Sequence, residues 1–205
     1  MYDVGRVLMG PFQAGYQFIA EQGEQYVKDQ EALDRIRAFH QDRKVGINQD
    51  DFNWLNLAWV KAIESGELIF DREKLIYSDV QPRFELVKKR GDLIYLHTSG
   101  SKELISLLLG LEIRFDGLLI GEETGDKNHP ETFAQIWEDL ECQIKAFYDD
   151  KLRVVKAAYE GFSLAGGNPS LYLVDRQQKL SDEESEEILT LGISKISSFT
   201  EIQDR

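Results

Sequence analysis

The sequence predicts an α/β protein whose core is a doubly wound parallel sheet, with a helical segment inserted near the N-terminus. Continuous apolar runs, such as residues 93–97, alternate with amphipathic helical patterns in the second half of the chain. Such runs are typical of strands buried on both faces of a sheet. Their alternation with helices indicates right-handed βαβ units. Residues 12–62 show helical spacing instead, and the strand pattern at residues 68–70 stands alone there.

Cap and turn residues divide the chain into elements. Asn48 or Asp50 is placed to cap one helix of the inserted segment, and Ser65-Gly66 ends it. Farther along, strands are predicted at residues 93–97, 117–120, 144–148 and 170–174. Helices are predicted at residues 102–109, 131–140 and 152–159, and a last helix begins at the capping box of Ser181 and Glu184.

Composition limits the partners and the cellular location. The chain has 205 residues and a net charge of −13, and such a surface repels nucleic acid and anionic lipid. Its apolar runs are far shorter than the ~20 residues that a membrane helix needs, and no signal-peptide pattern opens it. Because Cys142 is the single cysteine, no disulfide can form within the chain. We therefore expect a cytoplasmic protein that binds neither nucleic acid nor membranes.

Polar residues follow three of the predicted strands. Thr98-Ser99-Gly100-Ser101 could cradle phosphate with hydroxyl and N–H groups, or could be an ordinary turn with a serine cap. Lys127 precedes a helix led by Pro130 and could neutralise phosphate, or could lie in solvent. Asp149-Asp150 ends a buried strand and requires a cation such as Mg²⁺, unless Asp150 caps a helix. Because the carboxyl ends of parallel strands meet at one edge, we expect these groups to share a site.

The order and spacing of these groups resemble motifs two, three and four of the haloacid dehalogenase superfamily. The Thr98-Ser99-Gly100-Ser101 turn is most like the enolase-phosphatase branch. The resemblance covers about residues 75–202. It implies an α/β core formed by residues 1–11 and 75–205, and a helical cap formed by residues 12–74.

The resemblance also implies a role for each residue. Asp3 would attack phosphorus, while Thr98 and Lys127 would hold the phosphoryl oxygens during catalysis. The implied phosphate-binding residues are Thr98, Ser99, Gly100 and Lys127. The implied Mg²⁺ ligands are Asp3, Asp149 and Asp150. The implied activity is a Mg²⁺-dependent phosphatase that acts on a small phosphorylated metabolite, with the cap setting specificity.

The first motif departs from the family pattern, which is Asp-x-Asp-Gly-Thr at the end of an apolar strand. Gly5 replaces the second acid, which protonates the leaving group, and Arg6 replaces the glycine. Almost no strand precedes Asp3, so we expect the central strand to be missing or short. Three interpretations stay open: a shortened version of a longer phosphatase, a catalytically impaired relative with a binding or interaction role, or a strand over residues 4–9 that carries no nucleophile. The sequence also leaves the oligomeric state open.

Overall fold

The chain folds into two compact units in a computed structural model that describes residues 1–42, 47–110 and 113–202, apart from the side chain of Glu122. The sheet unit consists of Met1–Gly10, Ile76–Ser99 and the residues from Ile113 onward. The helical unit consists of Pro11–Leu75 and Gly100–Glu112. The predicted cap of residues 12–74 falls within the helical unit, and its function as a cap stays a prediction.

A six-stranded parallel sheet forms the centre of the sheet unit. Its strands are β1 (Tyr2–Asp3), β2 (Tyr95–Thr98), β3 (Gly117–Ile120), β4 (Ala146–Asp149), β5 (Ser170–Val174) and β6 (Ser194–Ile196). They lie in the order β3-β2-β1-β4-β5-β6. The chain therefore builds one half of the sheet outward from β1 to β3, then returns to the other side of β1 and builds the second half from β4 to β6. Every neighbouring pair is parallel. This topology confirms the predicted α/β class and the doubly wound parallel sheet.

The short strand that the sequence predicted lies at the centre of this sheet. β1 has two residues, and Asp3 at its end is in register with His97 of β2. Tyr2 pairs with Tyr148 of β4 on the other side. The central strand is therefore present but short, as expected for a chain with so little apolar sequence before Asp3.

Residues 4–9 form a turn, so the interpretation that placed a strand there is wrong. The amides of Leu8 and Met9 both donate to the carbonyl of Val4, at 3.1 and 3.2 Å. The amide of Arg6 donates back to the carbonyl of Met9 at 2.7 Å. These local bonds use backbone groups that a strand would offer to its neighbours.

Helices α1 to α10 connect these strands and build the helical unit. Their bounds are α1 (Gln13–Gln22), α2 (Gln30–Gln41), α3 (Gln49–Glu64), α4 (Arg72–Leu75), α5 (Val80–Lys89), α6 (Lys102–Leu109), α7 (Gly121–Thr124), α8 (Pro130–Asp139), α9 (Leu152–Leu164) and α10 (Asp182–Thr190). Two 3₁₀ turns cover Gly23–Gln25 and Phe199–Glu201. α10 begins at the predicted capping box, in which Ser181 and Glu184 each accept a bond from the other's backbone amide.

Some predicted bounds were shifted for local reasons. β2 begins at Tyr95, two residues after its predicted start. The amide of Ile94, just before it, donates to the Asp116 carboxylate at 2.7 Å. α9 continues past its predicted end at residue 159 and passes through Gly161. A Cβ at Gly161 would lie 2.1 Å from the Pro130 carbonyl oxygen, so the glycine allows α9 to pack closely against α8.

Aromatic side chains cover both faces of the sheet. Tyr148 stacks between Tyr2 and Tyr172, with ring centroids 4.4 and 4.7 Å apart. Phe147, its neighbour in β4, points to the opposite face and packs against Phe133 of α8 at 5.2 Å. The phenylalanines thus close one face of the sheet, whereas Tyr2, Tyr148 and Tyr172 on the other face line a cavity.

The helical unit contains capped helices and an ion pair between a buried Asp51 and a partly exposed Arg35. Asn48, one of the two predicted caps, accepts a bond from the amide of Asp51 at 2.8 Å. The Asp51 carboxylate accepts two bonds of 2.7 Å from the Arg35 guanidinium. α6 also belongs to this unit, and its Leu107 carbonyl accepts bonds from Arg72. None of the described helices combines the length and apolarity needed to cross a membrane.

Candidate active site

Four charged residues meet at the carboxyl edge of the sheet unit. Asp3 ends β1, Asp149 ends the neighbouring β4, and Asp150 follows it. Lys127 comes from the loop before α8, whose first residue is Pro130. Parallel strands place their carboxyl ends at one edge, which explains how residues more than a hundred positions apart in sequence come together.

The Lys127 ammonium holds this group together. Its Nζ atom donates to Oδ1 of Asp3 and to the His97 carbonyl at 2.7 Å, and lies 3.7 Å from Oδ2 of Asp149. Burial opposes the charge of Lys127, but the Asp3 and Asp149 carboxylates outweigh it and hold its pKa above the ordinary value. Lys127 is therefore a fixed cation in contact with Asp3.

The loop that carries Lys127 is itself fixed by hydrogen bonds. The Thr132 hydroxyl donates to the Asp126 carbonyl at 2.8 Å, and the Asp126 carboxylate accepts a bond from the Asn128 amide at 2.9 Å. Pro130 occupies the first turn of α8, where a missing N–H costs nothing. The helix start and these turns set the direction in which Lys127 leaves the backbone.

The three carboxylates crowd one another. One oxygen each from Asp3, Asp149 and Asp150 lies within 4.8 Å of the other two. Burial and then the Asp3 charge raise the pKa of Asp149 to about 7 and that of Asp150 to about 6, against the pull of Lys127. One buried lysine therefore does not compensate the negative charge of the cluster.

This donor set fits a hard divalent cation. Carboxylate oxygens are the ligands that Mg²⁺ prefers, and a cation beside them would relieve the repulsion that raises the two pKa values. Asp3, Asp149 and Asp150 are the residues that would hold it. They are the same residues that the sequence predicted as metal ligands, and that assignment stays a prediction.

The predicted phosphate-binding residues after β2 differ in their burial and in the unit to which they belong. Thr98 ends β2 directly after His97 and is buried, while Ser99 is exposed. Gly100 belongs to the helical unit. Thr98 thus follows the residue whose carbonyl holds Lys127, and the phosphate-binding roles of Thr98, Ser99 and Gly100 stay predictions.

Gly5 lies directly beside the Asp3 carboxylate. A Cβ at Gly5 would lie 3.8 Å from Oδ2 of Asp3, an ordinary van der Waals contact. A side chain at this position would therefore reach the carboxylate of Asp3. With glycine there, the position provides no acid or base.

A buried ion pair that sequence reasoning missed supports the turn after Asp3. The Arg176 guanidinium donates two bonds to the Val7 carbonyl, at 3.0 and 2.8 Å, and two to the Asp79 carboxylate. Burial opposes the charge of Asp79, but bonds from Arg176, Ser198 and Phe199 outweigh it and keep its pKa below the ordinary value. Arg176 is far from Val7 and Asp79 in sequence, so no local sequence pattern predicts these contacts.

The fold resembles solved structures, although no protein-family model and no curated protein matches the sequence. CbbY from Rhodobacter sphaeroides, solved in complex with phosphate, matches with a TM-score of 0.61 and 15% identity, over 98% of this chain and 93% of its own. The unknown transcript 4 protein (UTR4) of Saccharomyces cerevisiae matches with a TM-score of 0.57 and 15% identity, over 98% and 97%. The chain has the haloacid dehalogenase fold.

A third solved structure extends the comparison. A phosphonoacetaldehyde hydrolase like protein from Oleispira antarctica matches with a TM-score of 0.52 and 13% identity, over 98% of this chain and 88% of its own. The resemblance that the sequence motifs indicated is therefore confirmed for the haloacid dehalogenase fold. At identities this low, the comparisons establish the fold and leave the activity to the site.

We predict that Asp149→Asn stabilises the metal-free protein at alkaline pH. The folded-state pKa of Asp149 is about 7, above the value of about 3.9 in unfolded chains, so stability falls as pH rises through that interval. The variant should raise the free energy of unfolding by about 2 kcal/mol near pH 8 in EDTA, and the gain should shrink toward about pH 4. Urea unfolding at both pH values measures this.

Asp139→Asn, on the exposed end of α8, is the matched control and should change stability little at either pH. A loss of stability in Asp149→Asn that is equal at both pH values would contradict the crowding of the carboxylates.

Proposed function

We propose that the protein is a phosphoric monoester hydrolase that uses Mg²⁺ and acts on a small phosphorylated metabolite. The observation that carries this proposal is the contact of the Lys127 ammonium with the Asp3 carboxylate, beside Asp149 and Asp150. A nucleophile, a fixed cation and further carboxylates at one sheet edge are the groups that phosphoryl transfer through an aspartyl-phosphate uses.

Asp3 is the proposed nucleophile. One of its oxygens forms a bond to phosphorus while the bond from phosphorus to the ester oxygen breaks, and the leaving oxygen takes a proton from water. A second water, which gives a proton to the hydroxide left by the first step, then attacks the phosphorus of the aspartyl-phosphate; the bond from phosphorus to the Asp3 oxygen breaks, and inorganic phosphate and the Asp3 carboxylate are released. Each bond formed is matched by one broken, and no further reactant is needed.

Lys127 is proposed to stabilise the phosphoryl oxygens during both steps. It already lies within hydrogen-bond distance of Asp3, so little reorganisation is needed for it to reach the oxygens of a phosphoryl group that is bonded to that carboxylate. The Thr98 hydroxyl is proposed to donate a hydrogen bond to the same oxygens. Mg²⁺ bound by Asp3, Asp149 and Asp150 would supply additional positive charge to the transferring group.

The structural neighbours support a phosphate-containing substrate. CbbY was solved with phosphate bound, and the Oleispira antarctica neighbour is named as like phosphonoacetaldehyde hydrolase. The cytoplasmic location expected from the sequence is part of the proposal and agrees with Cys142 being a free thiol. The absence of nucleic-acid and membrane partners stays a prediction from the net charge of −13.

Gly5 favours a second candidate function. Because no acid stands beside Asp3 at that position, protonation of the leaving group falls to water, and removal of a general acid typically costs about 10²–10⁴-fold in rate. The alternative is a catalytically impaired relative that keeps the fold and the metal site and has a binding or interaction role.

We predict slow, Mg²⁺-dependent hydrolysis that depends on Asp3. Phosphate release from a panel of small phosphomonoesters should fall to the enzyme-free level in Asp3→Asn, because the amide cannot attack phosphorus, while Asp139→Asn keeps the wild-type rate. Turnover by the wild type that is no higher than that of Asp3→Asn would exclude the hydrolase and favour the impaired relative.

We predict that Gly5→Asp accelerates the reaction. The side chain fits beside Asp3 at ordinary contact distance and restores an acid at the leaving group, so the rate should rise by about 10²–10⁴-fold with a good substrate. Gly5→Asn is the matched control, since it has the same size but no titratable proton.

The pH profile of Gly5→Asp should gain a limb on its alkaline side as the new acid loses its proton. Equal rates in wild type, Gly5→Asp and Gly5→Asn would show that protonation of the leaving group does not limit this protein.

A further inference from the structure

We propose that Arg6 is an internal counter-cation of Asp150 that competes with the divalent ion, so that Arg6 sets the metal affinity of the site. The inference rests on the metal site of the proposed function. It concerns a residue that departs from the family pattern and has no part in the chemistry proposed above.

The position of Arg6 brings its charge to the carboxylate cluster. Its Nη1 atom lies 3.9 Å from Oδ2 of Asp150. The Arg6 side chain is 56% exposed and that of Asp150 is 11% exposed. A solvent-facing guanidinium thus lies beside a nearly buried carboxylate, and its charge, together with that of Lys151, opposes the rise in the pKa of Asp150 that burial causes.

The backbone of Arg6 offers a second, independent observation. Its φ of 58° lies in the left-handed region, where glycine is favoured and a residue with a long side chain is strained. The turn after Asp3 therefore accepts glycine more readily than arginine, and glycine is the residue of the family pattern. An arginine in a strained position at the edge of a charged site points to a function for its side chain.

The charges around the cluster indicate that Arg6 lowers its affinity for a divalent cation. Three carboxylates are balanced by Lys127, Arg6 and Lys151, whose charge also acts on Asp150, so no net charge is left when all are ionised. A second acid in place of Gly5 and a glycine in place of Arg6 would make the cluster more negative by two charges, which equals the charge of one Mg²⁺. Both departures thus lower the attraction of the cluster for a divalent cation.

Metal titration measures this effect directly. Wild type, Arg6→Asn, Arg6→Gly and Arg6→Lys would be titrated with Mn²⁺ at low ionic strength, with free Mn²⁺ followed by electron paramagnetic resonance. Arg6→Asn and Arg6→Gly should bind Mn²⁺ about tenfold more tightly than wild type, and Arg6→Lys should stay close to it. The gap should narrow in high salt, because the competing charge is exposed.

The Asp150→Asn background separates charge from backbone strain. Glycine, and to a lesser degree asparagine, tolerates the left-handed region, so Arg6→Gly and Arg6→Asn remove the charge and relieve strain together and should both tighten binding. In the background of Asp150→Asn, the change from Arg6 to asparagine should have a much smaller effect, since the coupled partner is gone. Circular dichroism verifies that each variant is folded.

The outcomes distinguish this inference from the proposed function. Equal Mn²⁺ affinity in wild type and both neutral variants would overturn the role of Arg6 while leaving the metal site in place. No Mn²⁺ binding in any variant would overturn the inference together with the metal part of the proposed function. Tighter binding in the neutral variants would support the inference even if no substrate were hydrolysed.

Discussion

The site depends on one buried cation. The Lys127 ammonium contacts Asp3, lies 3.7 Å from Asp149 and donates to the His97 carbonyl, so it joins β1, β2 and β4 at their carboxyl ends. Without it, the nearly buried carboxylates of Asp3 and Asp149, at the ends of two adjacent strands, would repel each other with no cation between them. Its single charge is too small to balance them, and this imbalance makes the cluster a candidate for a divalent ion.

A second buried ion pair fixes the turn that surrounds the proposed nucleophile. β1 is only two residues long, so sheet hydrogen bonds alone give Asp3 little support. Arg176, which is itself bonded to Asp79, donates to the Val7 carbonyl. The turn between Asp3 and Val7 contains both departures from the family pattern, Gly5 and Arg6. The turn is thus held in place while residues 5 and 6 depart from the family pattern. Hydrolysis and metal affinity therefore have to be measured separately for this chain.

Periodicity and order in the sequence predicted most of the sheet and the meeting of Lys127 with Asp149 and Asp150. The four apolar runs became β2 to β5, because burial on both faces leaves a clear signal. The two-residue β1 is too short to give an apolar run in the sequence, and its place in the sheet depends on its pairing with β2 and β4. The continuation of α9 through Gly161 and the Arg176 network were missed because both depend on contacts with distant residues, such as Pro130 and Val7.

Anomalous diffraction from crystals grown with Mn²⁺ tests most directly whether Asp3, Asp149 and Asp150 form one metal-binding site beside the Lys127 ammonium. We expect an anomalous peak within coordination distance of carboxylate oxygens of Asp3 and of Asp149 or Asp150, with the Lys127 ammonium still bonded to Asp3. A peak confined to other carboxylates of the surface, or a Lys127 side chain turned away from Asp3, would contradict it.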